Sequence, residues 1–149
     1  MTIARDIMSS KIVTMESNVS STEIVKIMDK NKVSSVIITK DQVPIGIVTE
    51  RDMVSKIVAQ NKKPSEVKTA EITASPLFIV SSLTPTDDVA KKMVDKKIRR
   101  VVVMDSDQAL GIITVTDFVK HLHEMLSDSE NYNKILYQHL IEDWEYWMS

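Results

Sequence analysis

Apolar and polar positions follow the same order twice along the chain. In each copy a short apolar run predicts a strand, apolar residues three or four positions apart predict a helix, two β-branched runs predict paired strands, and a second helical pattern follows. The predicted strands are 12–15, 36–38 and 45–48, then 77–80, 101–103 and 110–113; the predicted closing helices are 50–60 and 115–126. Each copy is therefore predicted to fold as β-α-β-β-α.

A shift of 65 residues aligns positions 7–54 with positions 72–119 without a gap. Twelve of these 48 pairs are identical, and the strand positions mostly exchange one aliphatic residue for another. The chain is therefore a tandem duplication. We expect a first repeat at 1–62, a second repeat at 63–126 and a tail at 127–149.

Polar residues mark where the first helix of each copy begins. Ser20 or Ser21 is a candidate N-cap, with Glu23 in the first turn. In the second copy Thr84 precedes Pro85, and proline is favoured at the first helical position. The strands are nearly continuous apolar runs, which is typical of a sheet covered on both faces. These patterns predict an α/β (α+β) fold.

The tail differs from both repeats. Its apolar positions recur every three or four residues, which predicts an amphipathic helix. They are Tyr132, Ile135, Leu136, His139, Leu140, Trp144 and Trp147. The tail also holds five acidic residues against one lysine. Three interpretations stay open: packing on its own domain, sealing a homodimer, or docking to another protein.

Composition narrows the classes of function. The 149 residues include no cysteine and carry a formal net charge of −2, so thiolate chemistry is excluded and nothing favours nucleic acid as a partner. No apolar run approaches the length of a membrane span, and the start lacks the core of a signal peptide. We expect a soluble, cytoplasmic protein. His121 and His123 lie two apart on a predicted helix and point in different directions, so no metal site is expected.

One seven-residue motif occurs at the equivalent place in both copies. It is Gly-Ile-Val-Thr-Glu-Arg-Asp at 46–52 and Gly-Ile-Ile-Thr-Val-Thr-Asp at 111–117. Gly46 and Gly111 are the only glycines, although average usage predicts about 10 in a chain of this length. This placement indicates a backbone demand, either an open φ/ψ region or the close approach of another group.

The motifs, their order, the repeat period and the linker together resemble a tandem pair of CBS domains (cystathionine-β-synthase domains, a Bateman module) over residues 1 to about 126. The resemblance implies two repeats packed sheet to sheet with pseudo-two-fold symmetry, and homodimers. It also implies clefts for an adenosine-containing regulatory ligand, an adenine nucleotide (AMP, ADP or ATP) or S-adenosylmethionine. No covalent cofactor is implied. The protein that such a module regulates is a separate, unidentified chain.

The resemblance also assigns roles to residues. Asp52 and Asp117 correspond to the acid that accepts hydrogen bonds from both ribose hydroxyls, and Thr49 and Thr114 to the hydroxyl that faces ribose or phosphate. The candidate ligand-binding residues are Gly46, Thr49, Arg51 and Asp52 in the first repeat and Arg99, Arg100, Gly111, Thr114, Thr116 and Asp117 in the second.

The two repeats differ where some family members bind phosphate. Arg99 and Arg100 stand there in the second repeat, and Ser34 and Ser35 stand there in the first, with Arg51 as a partial substitute. The second repeat is therefore the better candidate for a ligand site.

Two interpretations of the motif stay open. A carboxylate that faces a cis-diol makes two charge-assisted hydrogen bonds, each worth roughly 1.5–3 kcal/mol, and a helix start adds free N–H donors for an anion. Thr-x-x-Asp before a helix is also a capping box, in which the aspartate only completes the first turn. Duplication does not separate the two, because structural demands are duplicated as well.

We expect a regulatory module that senses an adenosyl ligand, signals through the arrangement of a dimer, and is not an enzyme. The chain has no glycine-rich phosphate loop and no convincing spacing of a nucleophile, a histidine and an acid. The alternative is a scaffold or oligomerisation protein with unoccupied clefts that acts through its tail.

Overall fold

A computed structural model describes residues 1–121 and the single positions 135, 138, 139 and 142. The chain divides into two compact units. The first-repeat unit is Ile12–Leu77, and the second-repeat unit combines Met1–Lys11 with the chain from Phe78 onward. Each unit contains one three-stranded sheet with helices, which confirms the mixed α/β class.

In chain order the elements are α1 (Ala4–Ile7), β1 (Thr14–Glu16), α2 (Ser21–Asn31), β2 (Ser35–Lys40), β3 (Val43–Thr49), α3 (Glu50–Met53), a π-helix (Val54–Val58), a 3₁₀ turn (Pro64–Glu66), α4 (Thr69–Ile72), β4 (Ile79–Val80), α5 (Thr86–Lys96), β5 (Arg100–Asp105), β6 (Gln108–Thr114) and α6 (Val115–Lys120).

The two sheets have the same topology, with strand orders β1-β2-β3 and β4-β5-β6. In each sheet the first pair is parallel and the second pair is an antiparallel hairpin. Both hairpins turn through two residues with positive φ, Asp41-Gln42 and Ser106-Asp107. Such turns match the twist of the paired strands. The predicted order of elements is therefore confirmed in both repeats.

The start of α2 confirms one capping prediction. Ser20 is the N-cap: its backbone N–H donates to the Glu23 carboxylate at 2.8 Å, and the Glu23 N–H donates to the Ser20 hydroxyl at 3.4 Å. The prediction for α5 was wrong by one residue, because Pro85 is the N-cap itself. The first helical N–H, that of Thr86, donates instead to the Thr2 carbonyl at 3.1 Å.

The closing helix of the first repeat is not the uniform α-helix predicted for 50–60. It begins as α3 and continues as the π-helix, in which the Ala59 N–H reaches back to the Val54 carbonyl at 2.8 Å. In the second repeat, the described part of the closing helix is α6; the remainder of the predicted span, 122–126, lies outside the described residues.

The short helix that precedes each repeat in the sequence belongs to the compact unit of the opposite repeat. Helix α1 lies in the second-repeat unit, where the Ala4 N–H donates to the Thr84 carbonyl at 2.8 Å. Helix α4 lies in the first-repeat unit, next to Val67, whose carbonyl accepts from the Ser21 N–H at 3.0 Å. The boundaries of the compact units therefore differ from the boundaries of the duplicated sequence.

Each unit has its own apolar core. In the first-repeat unit the core is Ile24, Met28, Val36, Ile38, Val48, Met53, Ile57, Val67 and Ile72. In the second-repeat unit it is Ala4, Ile7, Val80, Val89, Ala90, Met93, Val101, Val103, Ile113, Val115 and Phe118.

Four positions of the tail are described, and all four are helical. Ile135 packs against the core of the second-repeat unit, and His139 is buried. At Ile135, therefore, the tail packs on its own domain, the first of the three interpretations. The other apolar residues of the predicted stripe, Tyr132, Leu136, Leu140, Trp144 and Trp147, lie outside the described residues.

Candidate functional site

The candidate site of each repeat lies where the last strand of its sheet turns into a helix. Strand β3 ends at Thr49 and β6 at Thr114, both in extended backbone, and each threonine is the N-cap of the helix that follows. The chain changes from strand to helix within one residue. The motif side chains therefore meet at one edge of each sheet.

In the first repeat Thr49 and Asp52 form a capping box. Asp52 Oδ2 accepts from the Thr49 N–H at 2.8 Å and from the Thr49 hydroxyl at 3.0 Å. The Asp52 N–H donates back to the Thr49 hydroxyl at 3.3 Å. This arrangement satisfies backbone donors that a helix start otherwise leaves open.

In the second repeat Thr114 makes the same two contacts to the carboxylate of Asp117. Asp117 Oδ2 accepts from the Thr114 N–H at 2.8 Å and from the Thr114 hydroxyl at 3.1 Å. Asp117 is 8% exposed. The capping role is thus present in both repeats and engages one oxygen of each carboxylate.

A lysine that the sequence analysis did not single out engages the other oxygen in the first repeat. Lys56 Nζ lies 2.9 Å from Asp52 Oδ1 and also donates to the Ile72 carbonyl at 3.0 Å. The signal for it was the spacing, because an acid and a lysine four residues apart face each other on a helix. The equivalent residue of the second repeat is His121.

The two glycines allow another backbone segment to approach closely. They do not provide an unusual backbone conformation, since neither has a positive φ. A Cβ on Gly46 would lie 2.8 Å from the Ala74 carbonyl oxygen, and one on Gly111 would lie 2.7 Å from the Ser9 carbonyl oxygen. The neighbouring residues Ile47 and Ile112 exchange two backbone hydrogen bonds each with Ala74 and Ser9. Gly46 and Gly111 thus support the site from the strand.

The arginine pair of the second repeat lies at the same sheet edge as its motif. The Arg99 carbonyl accepts from the N–H of Val115, the first residue of α6, and Arg100 is the cross-strand partner of Thr114. Both arginines are half-buried. Thr116 is exposed on the first turn of α6. The structure therefore brings Arg99, Arg100, Thr114, Thr116 and Asp117 together within one unit.

The first repeat has serines at this place. Ser34 accepts from the Glu50 N–H through its carbonyl at 3.0 Å, and Ser35 is the cross-strand partner of Thr49. Arg51, on the first turn of α3, is exposed. The backbone around the two motifs is therefore the same, and the side chains differ in charge.

The first-repeat unit also has an open groove of about 560 Å³ beside Ser34 and Glu50. Its other lining residues are Val25, Met28, Asp29, Lys32, Val33 and Met53. Val25, Val54 and Val58 on the neighbouring helices are 40%, 56% and 70% exposed. The groove is thus lined by both apolar and charged side chains.

Within the described ranges, no three His, Asp or Glu side chains cluster closely enough to hold a metal ion. In the same part of the chain, no helix has the length and apolarity needed to cross a bilayer.

The CBS domain profile matches this chain twice, at residues 4–59 and 70–124. An uncharacterised protein of Methanopyrus kandleri is 38% identical over 112 residues, which are 73% of this chain and 57% of that protein. This chain therefore spans little more than half of that relative's length.

Two solved structures extend the comparison. The CBS domain pair of the protein MJ0100, in complex with 5′-methylthioadenosine and S-adenosyl-L-methionine, is 31% identical with a TM-score of 0.73; the match covers 84% of this chain and 98% of that chain. A hexameric CBS-CP12 protein from bloom-forming cyanobacteria is 32% identical with a TM-score of 0.74, covering 80% of this chain and 71% of that one.

Proposed function

The chain belongs to the CBS-domain family, and on this premise we propose that it is a non-catalytic regulatory module that binds an adenosine-containing ligand. Proteins of this family are generally regulatory rather than catalytic. The ligand is an adenine nucleotide or S-adenosylmethionine, and the second repeat provides the principal site.

One observation carries the proposal. In the second repeat a motif carboxylate and two arginines lie at one sheet edge, because Arg100 pairs with Thr114 and the Arg99 carbonyl holds the start of α6. A carboxylate accepts from a ribose diol, and guanidinium groups bind phosphate or carboxylate. That MJ0100 binds two adenosyl compounds through a similar CBS domain pair supports the same ligand class here.

We assign the roles as follows. Asp117 accepts the ribose hydroxyls, Thr114 and Thr116 present hydroxyls to ribose or phosphate, and Arg99 and Arg100 bind the anionic end of the ligand. Asp52, Thr49 and Arg51 form the equivalent but weaker set of the first repeat.

The signal passes to a separate protein through the arrangement of a homodimer. The support is the exposure of three valines of the first-repeat unit: Val25, which lines the groove, and Val54 and Val58 on the π-helix. Exposed apolar residues that form a patch on a protein surface typically mark an interaction site. The hexameric state of the similar CBS-CP12 protein supports assembly here. A ligand that binds one arrangement of the dimer better than another shifts the population between them.

Isothermal titration of the whole chain with AMP, ADP, ATP, S-adenosylmethionine and NAD tests the proposal. We expect heat with at least one of them, and an affinity lower by about 10- to 100-fold in Asp117→Asn, which removes charge-assisted hydrogen bonds but keeps the size of the side chain. Asp107→Asn, on an exposed turn of the same unit, is the matched control and should bind normally. Absence of heat with all five compounds, or normal affinity in a folded Asp117→Asn protein, contradicts the proposal.

A scaffold function is the second candidate, and the capping boxes favour it, since they account for Thr49, Asp52, Thr114 and Asp117 without any ligand. A scaffold predicts that deletion of 127–149 abolishes oligomers or partner capture. It also predicts that the five compounds leave the melting temperature of the full chain unchanged.

A further inference from the structure

The two motif carboxylates differ in how many of their acceptor positions are taken. A carboxylate has about four lone-pair positions. On Asp52, Oδ2 accepts from the N–H and the hydroxyl of Thr49, and Oδ1 forms an ion pair with Lys56 Nζ at 2.9 Å. The oxygen that Thr49 leaves open is therefore paired with a cation.

Asp117 keeps two positions open. Its Oδ2 accepts the same two donors from Thr114. The ion pairs found among the described residues are Lys56 with Asp52 and Lys32 with Asp29, and neither involves Asp117. Within residues 1–121, the hydrogen bonds described for the Asp117 carboxylate come from Thr114 and reach only Oδ2.

Lys56 is also held from a second side, so it does not swing away freely. Its Nζ donates to the carbonyl of Ile72, the last residue of α4. A helix end leaves such carbonyls without intrahelical partners. The Asp52 side chain is only 14% exposed, which limits the water that would otherwise screen the pair. Moving Lys56 away would remove a donor from the Ile72 carbonyl and the counter-charge from Asp52 Oδ1.

A ribose diol donates two hydrogen bonds and needs two open acceptor positions on the carboxylate. We infer that Lys56 is a specificity-determining residue: its ion pair keeps the diol from Asp52, so that one adenosine binds per chain, at Asp117. This inference rests on the proposed function and specifies which repeat performs it. The two repeats differ in the residue that lies four positions after the motif aspartate, which is Lys56 in the first repeat and His121 in the second.

The two glycines provide a reporter for each repeat. In a chain labelled with ¹⁵N-glycine, Gly46 and Gly111 give two amide signals, which ¹³C-carbonyl labelling of leucine tells apart because Leu110 precedes Gly111. The probe is adenosine, which carries the diol but no phosphate, so that Arg99 and Arg100 are not the cause of any difference. In the wild-type chain we expect adenosine to shift the Gly111 signal and to leave Gly46 in place.

Two reciprocal substitutions test the cause. Lys56→His should open the first repeat, so that the Gly46 signal also titrates and the affinity at that site rises by about 10-fold or more, the value of one charge-assisted hydrogen bond. The stoichiometry measured by isothermal titration should rise from one to two. His121→Lys should weaken the second site by a similar factor. Lys56→Met serves in place of Lys56→His if the latter does not fold.

The outcomes separate the inference from the proposed function. Equal titration of both glycine signals in the wild-type chain overturns the inference while leaving ligand binding intact. An unmoved Gly46 signal in a folded Lys56→His or Lys56→Met protein also overturns it. If neither signal moves in the wild-type chain with adenosine or S-adenosylmethionine, the proposed function fails and the inference fails with it.

Discussion

The two repeats build the same strand-to-helix connection and surround it with different side chains. The hydrogen bonds from threonine N–H and hydroxyl to aspartate agree within 0.1 Å between Thr49–Asp52 and Thr114–Asp117. The surrounding positions differ in charge or size: Ser34 and Ser35 against Arg99 and Arg100, Glu50 against Val115, Arg51 against Thr116, and Lys56 against His121. The identical residues build the same connection in both repeats, so the differing side chains are where the two repeats can differ in ligand binding.

The same contrast holds for packing. Met53 is a core residue of the first repeat that also lines the open groove. Phe118, its counterpart in the second repeat, is 1% exposed. Ile135 of the tail packs against the core that contains Phe118. At this position the second repeat thus buries its closing helix more completely than the first.

Alanine substitutions at Phe118 and Met53 should have the largest effect on the free energy of unfolding. Phe118→Ala should lower the free energy of unfolding by about 3–5 kcal/mol, because a fully buried ring leaves a cavity. Met53→Ala should cost about 2 kcal/mol, the low end for such a truncation, because the groove already opens beside the side chain. Urea unfolding followed by far-ultraviolet circular dichroism measures both. Equal losses would contradict the difference in packing between the repeats.

Alanine substitutions at Gly46 and Gly111 should have the next largest effect on the free energy of unfolding. An added Cβ at either site meets backbone oxygen, so we expect overpacking to cost about 1–3 kcal/mol. Gly46→Ala should be the worse of the two. There the Cβ also meets Thr73 Cγ2, on a stiff side chain whose hydroxyl donates to the Thr69 carbonyl at 2.7 Å. At Gly111 the corresponding contact is the flexible Met8 side chain.

Thr73→Ser is the matched control for this prediction. It removes Cγ2 and keeps the hydroxyl, so the double variant with Gly46→Ala should recover part of the lost stability, measured by the same urea unfolding. If Gly111→Ala proves more damaging than Gly46→Ala, or if Thr73→Ser restores nothing, side-chain stiffness does not decide the cost.

Local patterns in the sequence predicted the parts of this fold that depend on local physics. Both hairpins, the cap at Ser20 and the duplication follow from turn chemistry and from the spacing of apolar residues. Contacts between distant segments were not predicted. Periodicity carries no information that α1 and α4 each pack in the unit of the other repeat, or that Ile72 accepts from Lys56. The glycines showed that the backbone was constrained, and only the structure shows that Ala74 and Ser9 are the cause.

The same limit applies to the candidate site. Thr-x-x-Asp was recognisable both as a ligand motif and as a capping box, and the described geometry contains the capping box in each repeat. The spacing of Asp52 and Lys56 indicates their ion pair, but the contact of Lys56 with Ile72 depends on α4, which local spacing does not specify. The roles of the site residues toward a ligand therefore stay predictions.

The acidic residues beside the two hairpins lie on different strands. The smallest predicted effect, a change in melting temperature, concerns one of these acids. In the first repeat the acid is on β1, where Glu16 Oε1 accepts from the Gln42 N–H at 2.8 Å and the Thr39 hydroxyl at 3.0 Å. In the second repeat the acid is Asp105 on β5, which accepts from the Ser82 hydroxyl at 2.5 Å and the Ser82 N–H at 3.1 Å. Glu16 thus holds the β2–β3 turn, whereas Asp105 holds the loop between β4 and α5.

Asp105→Asn should lower the melting temperature slightly near neutral pH, because the hydrogen bonds from Ser82, with help from Ser81 and the charge of Arg5, lower the pKa of Asp105 from its ordinary value of 3.8. A carboxyl whose pKa is lowered by folding stabilises the protein above its ordinary pKa, and this contribution disappears as the pH falls through the lowered value. The difference in melting temperature between wild type and variant should therefore shrink as the pH is taken below about 4. Asp107→Asn removes the same charge from the exposed turn and is the control for loss of charge alone. A difference for Asp105→Asn that persists or grows in acid would mean that the Ser82 contacts do not stabilise the charged carboxylate.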